Sequence, residues 1–311
     1  MSGSFGEVVV VMSKKSWDGP RGDSVYALIG APLEELPAPE PSFSVIHVST
    51  DKFSSVLRTH RNVFIPEISK EKYAFTPPAL KLEQNVWAKG QIVLTLTAAN
   101  TDSLYSGLRR FKKQISRVFM DAELNRRMAR NKEFGPQWLS DSVKNYLGIE
   151  LLVQKDFEPA GVRDGVMWIR LERARPQGGI QHQISQGVLL FSQPYQSKAQ
   201  LLDTFIMNAA DSILSYHIQG SAQGSFMKID RINITPAQRE INHQGSYARE
   251  IRGIWRMEKN YFGGPFYLLA ILDEKNSRVI YAYGYVYAPQ FEKRDYLLEV
   301  QSIIRSLKPA T

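Results

Sequence analysis

The chain has 311 residues, 43% of them hydrophobic and 23% charged, ordinary proportions for a globular protein with a buried core. It contains no cysteine, which excludes disulfides, thiolate metal sites and cysteine nucleophiles from these residues, and no apolar run approaches the ~20 residues that span a bilayer. The net charge of +8 is local: residues 101–133 hold nine basic side chains against four acidic ones, +5 of the total.

Met1-Ser-Gly-Ser-Phe-Gly-Glu7 lacks the basic and apolar regions of a signal peptide, so the abrupt start fits a trimmed or mature form. Glu7-Val-Val-Val-Val-Met12 is β-branched and continuous and reads as a buried strand. Trp17-Asp-Gly-Pro-Arg-Gly-Asp-Ser24 is dense in turn formers and leads into a short helix through Leu28, with Asp23 or Ser24 as its N-cap. Leu36-Pro-Ala-Pro-Glu-Pro41 is an extended connector. Strands are expected at 43–48, 62–66, 81–88 and 91–97, with a helical turn near 52–59. Residues 101–132 carry the clearest helical period: Leu104, Leu108, Phe111, Ile115, Val118, Phe119 and Ala122 share one face. At 1.5 Å per residue this helix reaches about 48 Å, so it is expected to break near Arg126 or to protrude. A short helix through Tyr146 follows Gly135-Pro136.

The second half opens with strands near 149–154, 165–172 and 186–192 and a helix at 198–217. Three long strands at 246–258, 265–273 and 278–288 are joined by short turns, which predicts an antiparallel meander. A terminal helix at 291–308 presents Leu297, Val300, Ile304 and Leu307 to that sheet. Each half carries a tryptophan in a strand before its closing segment, Trp87 and Trp255, which suggests duplication of one α/β sandwich.

Several stretches resemble a family, the uncharacterised lipoprotein-like envelope proteins of the Bacteroidetes catalogued as domain of unknown function 4837. They are Glu7-Val-Val-Val-Val, Trp17-Asp-Gly-Pro with Gly22-Asp-Ser24, Leu36-Pro-Ala-Pro-Glu-Pro41, Asn85-Val-Trp-Ala88, Gly253-Ile-Trp-Arg-Met257, Gly263-Gly-Pro-Phe266, and Tyr283-Gly-Tyr-Val-Tyr-Ala-Pro289 with Lys293-Arg-Asp-Tyr296. The resemblance implies secretion to the cell envelope or periplasm and lipid anchoring through a cysteine upstream of residue 1. It implies no catalytic residues. The final strand and helix with Ile304-Arg-Ser-Leu-Lys308 also look like the end of PsbP-type α/β sandwiches, a fold-level likeness.

Three constellations compete for a functional role. Arg109, Arg110, Lys113 and Arg117, with Arg127, project opposite the apolar stripe and could meet an anionic membrane or another polyanion. The plainer reading is a solvated face with i,i+4 pairs at Arg117–Asp121 and Glu123–Arg127. Nucleic acid is disfavoured, because no reader fold or stacking aromatics accompany the stripe. Tyr281, Tyr283, Tyr285 and Tyr287 alternate with small residues, so all four rings share one strand face. That face is either a ligand platform or core packing. In Trp17-Asp-Gly-Pro-Arg-Gly-Asp23 the two carboxylates could form an acid/base pair or hold a cation, but the glycines and proline favour a turn with Asp23 as helix cap and Trp17 as anchor. The five histidines are scattered without metal spacing, Gly178-Gly179 and Gly263-Gly264 read as hairpin turns, and no nucleotide or nucleophile motif occurs.

The expected fold is therefore α+β, two antiparallel sheets covered by amphipathic helices, with domains over 5–134 and 148–308. The expected function is a non-catalytic binding or structural component of the bacterial envelope, with no cofactor and no metal and with an unknown envelope partner. The alternatives are a hydrolase using Asp18 and Asp23, and a polyanion or anionic-membrane module using the 109–127 face.

Overall fold

The computed structural model describes residues 1–33 and 36–310. Residues 1–33 and 41–126 form one compact unit, and the rest of the described chain forms the other. The α+β class is observed for the chain taken as a whole.

In the first unit, β1 (Glu7–Val11), β2 (Ser44–Val48), β3 (Asn62–Ile68), β4 (Ala79–Gln84) and β5 (Ile92–Ala98) build one sheet in the order β2-β1-β3-β5-β4. β1, β2, β3 and β5 pair in parallel and β4 alone is antiparallel, which corrects the expectation of an antiparallel first sheet. Parallel neighbours need crossovers. These run through α1 (Lys14–Trp17) and α2 (Pro20–Ile29), then α3 (Ser55–Arg58), then α4 (Lys70–Tyr73) with β4. Both faces of the sheet are covered, which explains the unbroken valine run. Val8 and Val10 pack with α2 and with α5 (Thr101–Phe134), while Val9 and Val11 join Val48, Val63 and Val93 on the other face.

α2 starts at Pro20 behind Gly19, earlier than the Asp23 or Ser24 cap expected, and Asp23 falls inside its first turn. Proline suits that position because the first helical N–H has no intrahelical acceptor. Gly22 is required there: a Cβ would lie 1.9 Å from the Trp17 carbonyl oxygen. α5 is continuous and does not break near Arg126. Its Asn131 is buried and donates to Ser302 Oγ at 3.2 Å.

The second unit opens with α6 (Gln137–Leu147) and β6 (Ile149–Glu150). Its sheet comprises β7 (Glu158–Arg163), β8 (Val166–Gln177), β9 (Ile180–Pro194), β10 (Met227–Asp230), β11 (Ala237–His243), β12 (Ser246–Met257), β13 (Gly263–Asp273) and β14 (Arg278–Tyr287). All neighbours are antiparallel, in the order β10-β12-β13-β14-β9-β8-β7 with β11 beside β12. The expected meander is β12, β13 and β14. The β8–β9 hairpin turns at Gly178-Gly179, both at positive φ, whereas Gly263 and Gly264 open β13 instead of forming a turn. Trp87 lies in the turn after β4, not in a strand, and the two sheets differ in topology, so the units do not repeat one sandwich.

α7 (Asp203–His217) covers one face of this sheet and α8 (Arg294–Arg305) the other, before β15 (Lys308–Pro309) pairs with β6. The first turn of α8 takes its cap from far away in sequence: Glu40 Oε2 accepts from Lys293 N at 2.7 Å and from Arg294 N at 2.8 Å. A carboxylate there satisfies free N–H groups and sits at the positive end of the helix dipole.

Candidate functional site

The tyrosine stripe is core. Tyr281, Tyr283 and Tyr285 are 0%, 1% and 4% exposed and pack with Ile206, Met207 and Leu214 of α7. Tyr281 stacks on Phe191 and Tyr283 on Phe266, with ring centroids 4.7 and 5.2 Å apart. Tyr287, at the strand end, packs edge-on to Phe262. Burial pushes the Tyr281 and Tyr285 phenols up to about 12. Of the two readings, core packing holds for Tyr281, Tyr283 and Tyr285 and the exposed ligand platform is corrected for them, while Tyr287 is half-buried at the margin of the same core. The small residues between them serve α8: a Cβ on Gly284 would lie 2.1 Å from Val300 Cγ1, so glycine allows the helix to approach.

The two carboxylates of the Trp17 loop have separate surroundings. Asp18 pairs with Lys14 at 2.8 Å, and Asp23 is exposed on α2. The nearby His47 stacks flat on Trp17, centroids 4.6 Å apart, with its Nε2 2.9 Å from the Met12 carbonyl oxygen. Among the described residues, no three His, Cys, Asp or Glu side chains group as metal ligands would.

Arg109, Arg110, Lys112, Lys113 and Arg117 are all exposed on α5. Arg117 reaches Asp121 at 3.8 Å, as its i,i+4 spacing predicts, and Arg110 lies 5.1 Å from the Phe111 ring. Arg109, Arg110, Lys112 and Lys113 enter no ion pair among the described residues. Arg109, Lys113 and Arg117 stand at i, i+4 and i+8, so like charges line one ridge and each pair costs the helix a few tenths of a kcal/mol. Gly107, one turn earlier, packs against Pro78, whose loop carries the fully exposed Phe75.

The rest of the expected basic face turns inward. Arg127 is buried and lies 3.5 Å from Asp295. Glu123, fully buried, pairs with Arg126 at 2.6 Å and not with Arg127. Its Oε1 also accepts from Asn62 Nδ2 at 2.7 Å, and Oε2 lies 3.8 Å from Arg61. Burial lowers the Arg61 guanidinium from its ordinary value despite the Glu123 carboxylate, and Phe5 lies 4.4 Å beneath it. This network ties the starts of β1 and β3 to α5. The signal for it was present: Glu123 follows Phe119 by four and so continues the buried stripe.

Residues 137–306 match the model of a family described as a domain of unknown function, DUF4837, and residues 1–132 match another, DUF8532. The first match covers more than half of the chain, and the chain belongs to the DUF4837 family. The quoted motifs upstream of residue 132 fall within the second family instead. Neither description names an activity. No curated protein matches the chain. Similar solved structures include a point mutant of the protein Mog1, 11% identical, covering 52% of this chain and 91% of that one at a TM-score of 0.33. The Ran-binding protein Mog1p of Saccharomyces cerevisiae is 9% identical over 52% and 90%, also at 0.33. A Bacteroides thetaiotaomicron protein is 5% identical over 53% and 46%, at 0.27.

Proposed function

We propose that this member of the DUF4837 family is a non-catalytic binding or structural component of the cell envelope of a Bacteroidetes bacterium, tethered by a lipid-bearing cysteine upstream of residue 1. In this reading the basic ridge of α5 rests on an anionic membrane surface. The observation that carries it is the run Arg109, Arg110, Lys112 and Lys113: four exposed cations in five positions without an acidic partner among the described residues. The tether rests on the sequence motifs shared with lipoprotein-like envelope proteins.

Magnitudes assign the two contacts different duties. A basic side chain near an anionic leaflet contributes about 1 kcal/mol, so four give about 4 kcal/mol, equivalent to a dissociation constant of about 1 mM. At physiological salt the ridge alone holds the protein only transiently, whereas the weaker screening at low salt, with millimolar lipid, makes its contact measurable. Added to a lipid chain it fixes orientation and makes binding durable, since stable anchoring takes two signals.

The test is co-sedimentation with phosphatidylcholine vesicles, with and without phosphatidylglycerol. Binding is expected only to the anionic vesicles, and it should vanish in Arg109→Glu with Lys113→Glu. Equal sedimentation with both vesicle types, or none with either at low salt, contradicts the ridge. Palmitate labelling of the full-length protein in its host tests the tether separately.

A further inference from the structure

The second unit carries a cleft of about 630 Å3 where β12 begins and β13 ends, lined by Tyr195, Tyr247, Leu201, Leu272, Lys198 and Glu274 among others. Its volume lies within the range of about 300–1,000 Å3 typical of small-ligand sites. The two tyrosines are half-buried against the core, so each presents part of its ring to the cleft. Lys198 and Glu274 are exposed, cancel in charge, and form no ion pair among the described residues.

The walls are fixed. The Gln200 side chain accepts from Gln196 N and Ser197 N and donates to the Pro194 carbonyl, which holds the 3-10 turn Lys198–Leu201 in place. Tyr195 N donates to the Ser277 carbonyl at 2.8 Å, joining this turn to the β13–β14 connection. Asp273 braces that connection by accepting from Asn276 Nδ2 and Arg278 Nε, at 2.9 and 2.8 Å. A cleft held this way costs little ordering on binding.

A second cleft of about 370 Å3 shares Tyr247, Leu272 and Glu274, so the two adjoin there, and Lys275 and Lys308 line the further one. The chemistry narrows the occupant. β12–β13 pairing ends at Ala248 and Ile271, and beyond it Tyr247 is paired with Asn242 of β11 and Leu272 with Val279 of β14. The edge left between β12 and β13 at the clefts is only two residues long on each strand, too short to take an extended peptide. One cation balanced by one anion in the larger cleft gives a phosphate no advantage. Half-buried aromatic faces beside a free donor and a free acceptor suit a ligand with an apolar C–H face and many hydroxyls.

We propose that the adjoining clefts bind a neutral oligosaccharide, one sugar ring stacking on Tyr247 with its hydroxyls hydrogen-bonded to Lys198 Nζ and the Glu274 carboxylate, and the chain continuing into the smaller cleft. This goes beyond the membrane reading and does not depend on it.

The experiment is calorimetric titration of the whole chain with maltohexaose, cellohexaose, xylohexaose and chitohexaose. At least one binds. Its affinity falls about tenfold or more, a loss of about 1.4 kcal/mol, in Tyr247→Ala and in Lys198→Ala. Tyr247→Phe keeps most of it. Lys198 is exposed, so its variant remains informative if Tyr247→Ala fails to fold. The proposal is overturned if none of the four binds, or if the one that binds is indifferent to both alanine variants. Arg109→Glu with Lys113→Glu retains saccharide binding, so failure of the membrane reading and failure of this one are read separately.

Discussion

Tyr285 lays its ring across Gly187 of the neighbouring strand. The two are register partners in β14 and β9, and a Cβ at 187 would lie 2.3 Å from Tyr285 Cε1. Tyr285 is in turn edge-on to Trp255, 6.0 Å away, whose indole N–H donates to the Val286 carbonyl. Gly187→Ala therefore forces a buried ring off its seat in a packed core, at a cost of about 1–3 kcal/mol. Urea unfolding measures it. Adding Tyr285→Leu should restore part of the loss, whereas an unperturbed midpoint in Gly187→Ala contradicts the packing.

The Glu40 cap makes a second expectation. Glu40→Ala removes the acceptor for the Lys293 and Arg294 amides, and caps of this kind contribute about 0.5–2 kcal/mol. Hydrogen exchange at the first turn of α8 should quicken, and the thermal midpoint should drop. Unchanged exchange at Lys293 and Arg294 would mean that water replaces the carboxylate without cost.

Glu123 is the third. Glu123→Ala leaves Arg126 and Arg61 without the buried carboxylate they face, and removing one partner of such a cluster costs about 3–5 kcal/mol. Glu123→Gln, which keeps the shape and an acceptor for Asn62, should cost less. If both variants melt like the parent, the network contributes nothing to stability.

Acid sensitivity is the fourth. Burial holds the His243 imidazole below its ordinary value, even though its Nε2 lies 2.8 Å from the Leu307 carbonyl oxygen. The folded value lies under the unfolded one, so the unfolded chain takes up the proton first as pH falls through about 6.5. Stability falls with it until the folded histidine also titrates, and the effect is absent above about pH 7.5. His217, also lowered by burial, acts with the same sign. His243→Gln should flatten the urea midpoint between about pH 5 and 7. A parent curve that rises toward acid would be the wrong sign.

What could be read from the sequence depended on whether one face of an element meets water. α5 has one wet side, and α8 keeps its part-exposed Asp295, Tyr296, Glu299 and Arg305 away from its apolar stripe, so both stripes located their helices closely. β14 has helices on both faces, so its alternation is one of size, tyrosine against glycine and alanine, and size alone does not say which side is covered. The first sheet was misread for a related reason. Its strands are five to seven residues long, and β1 is apolar throughout, which removes the alternation that separates parallel from antiparallel. The β8–β9 hairpin outran its expected ends because Arg173–Gln183 is polar and held by ladder bonds at the sheet's margin. The cleft residues Tyr195, Tyr247 and Glu274 come from three segments and acquire meaning only once β12, β13 and the turn before α7 are in place.

Glu40 also bears on how the chain is made. Ribosomal synthesis releases residues 36–40 more than 250 positions before the amides they must meet. This stretch has no helix to hold until almost the entire polypeptide has emerged, and its prolines at 37, 39 and 41 keep it extended in the interval. Excising residues 137–306 at the family boundaries would discard the capping carboxylate. A fragment trimmed that way begins life with the last helix frayed at its start.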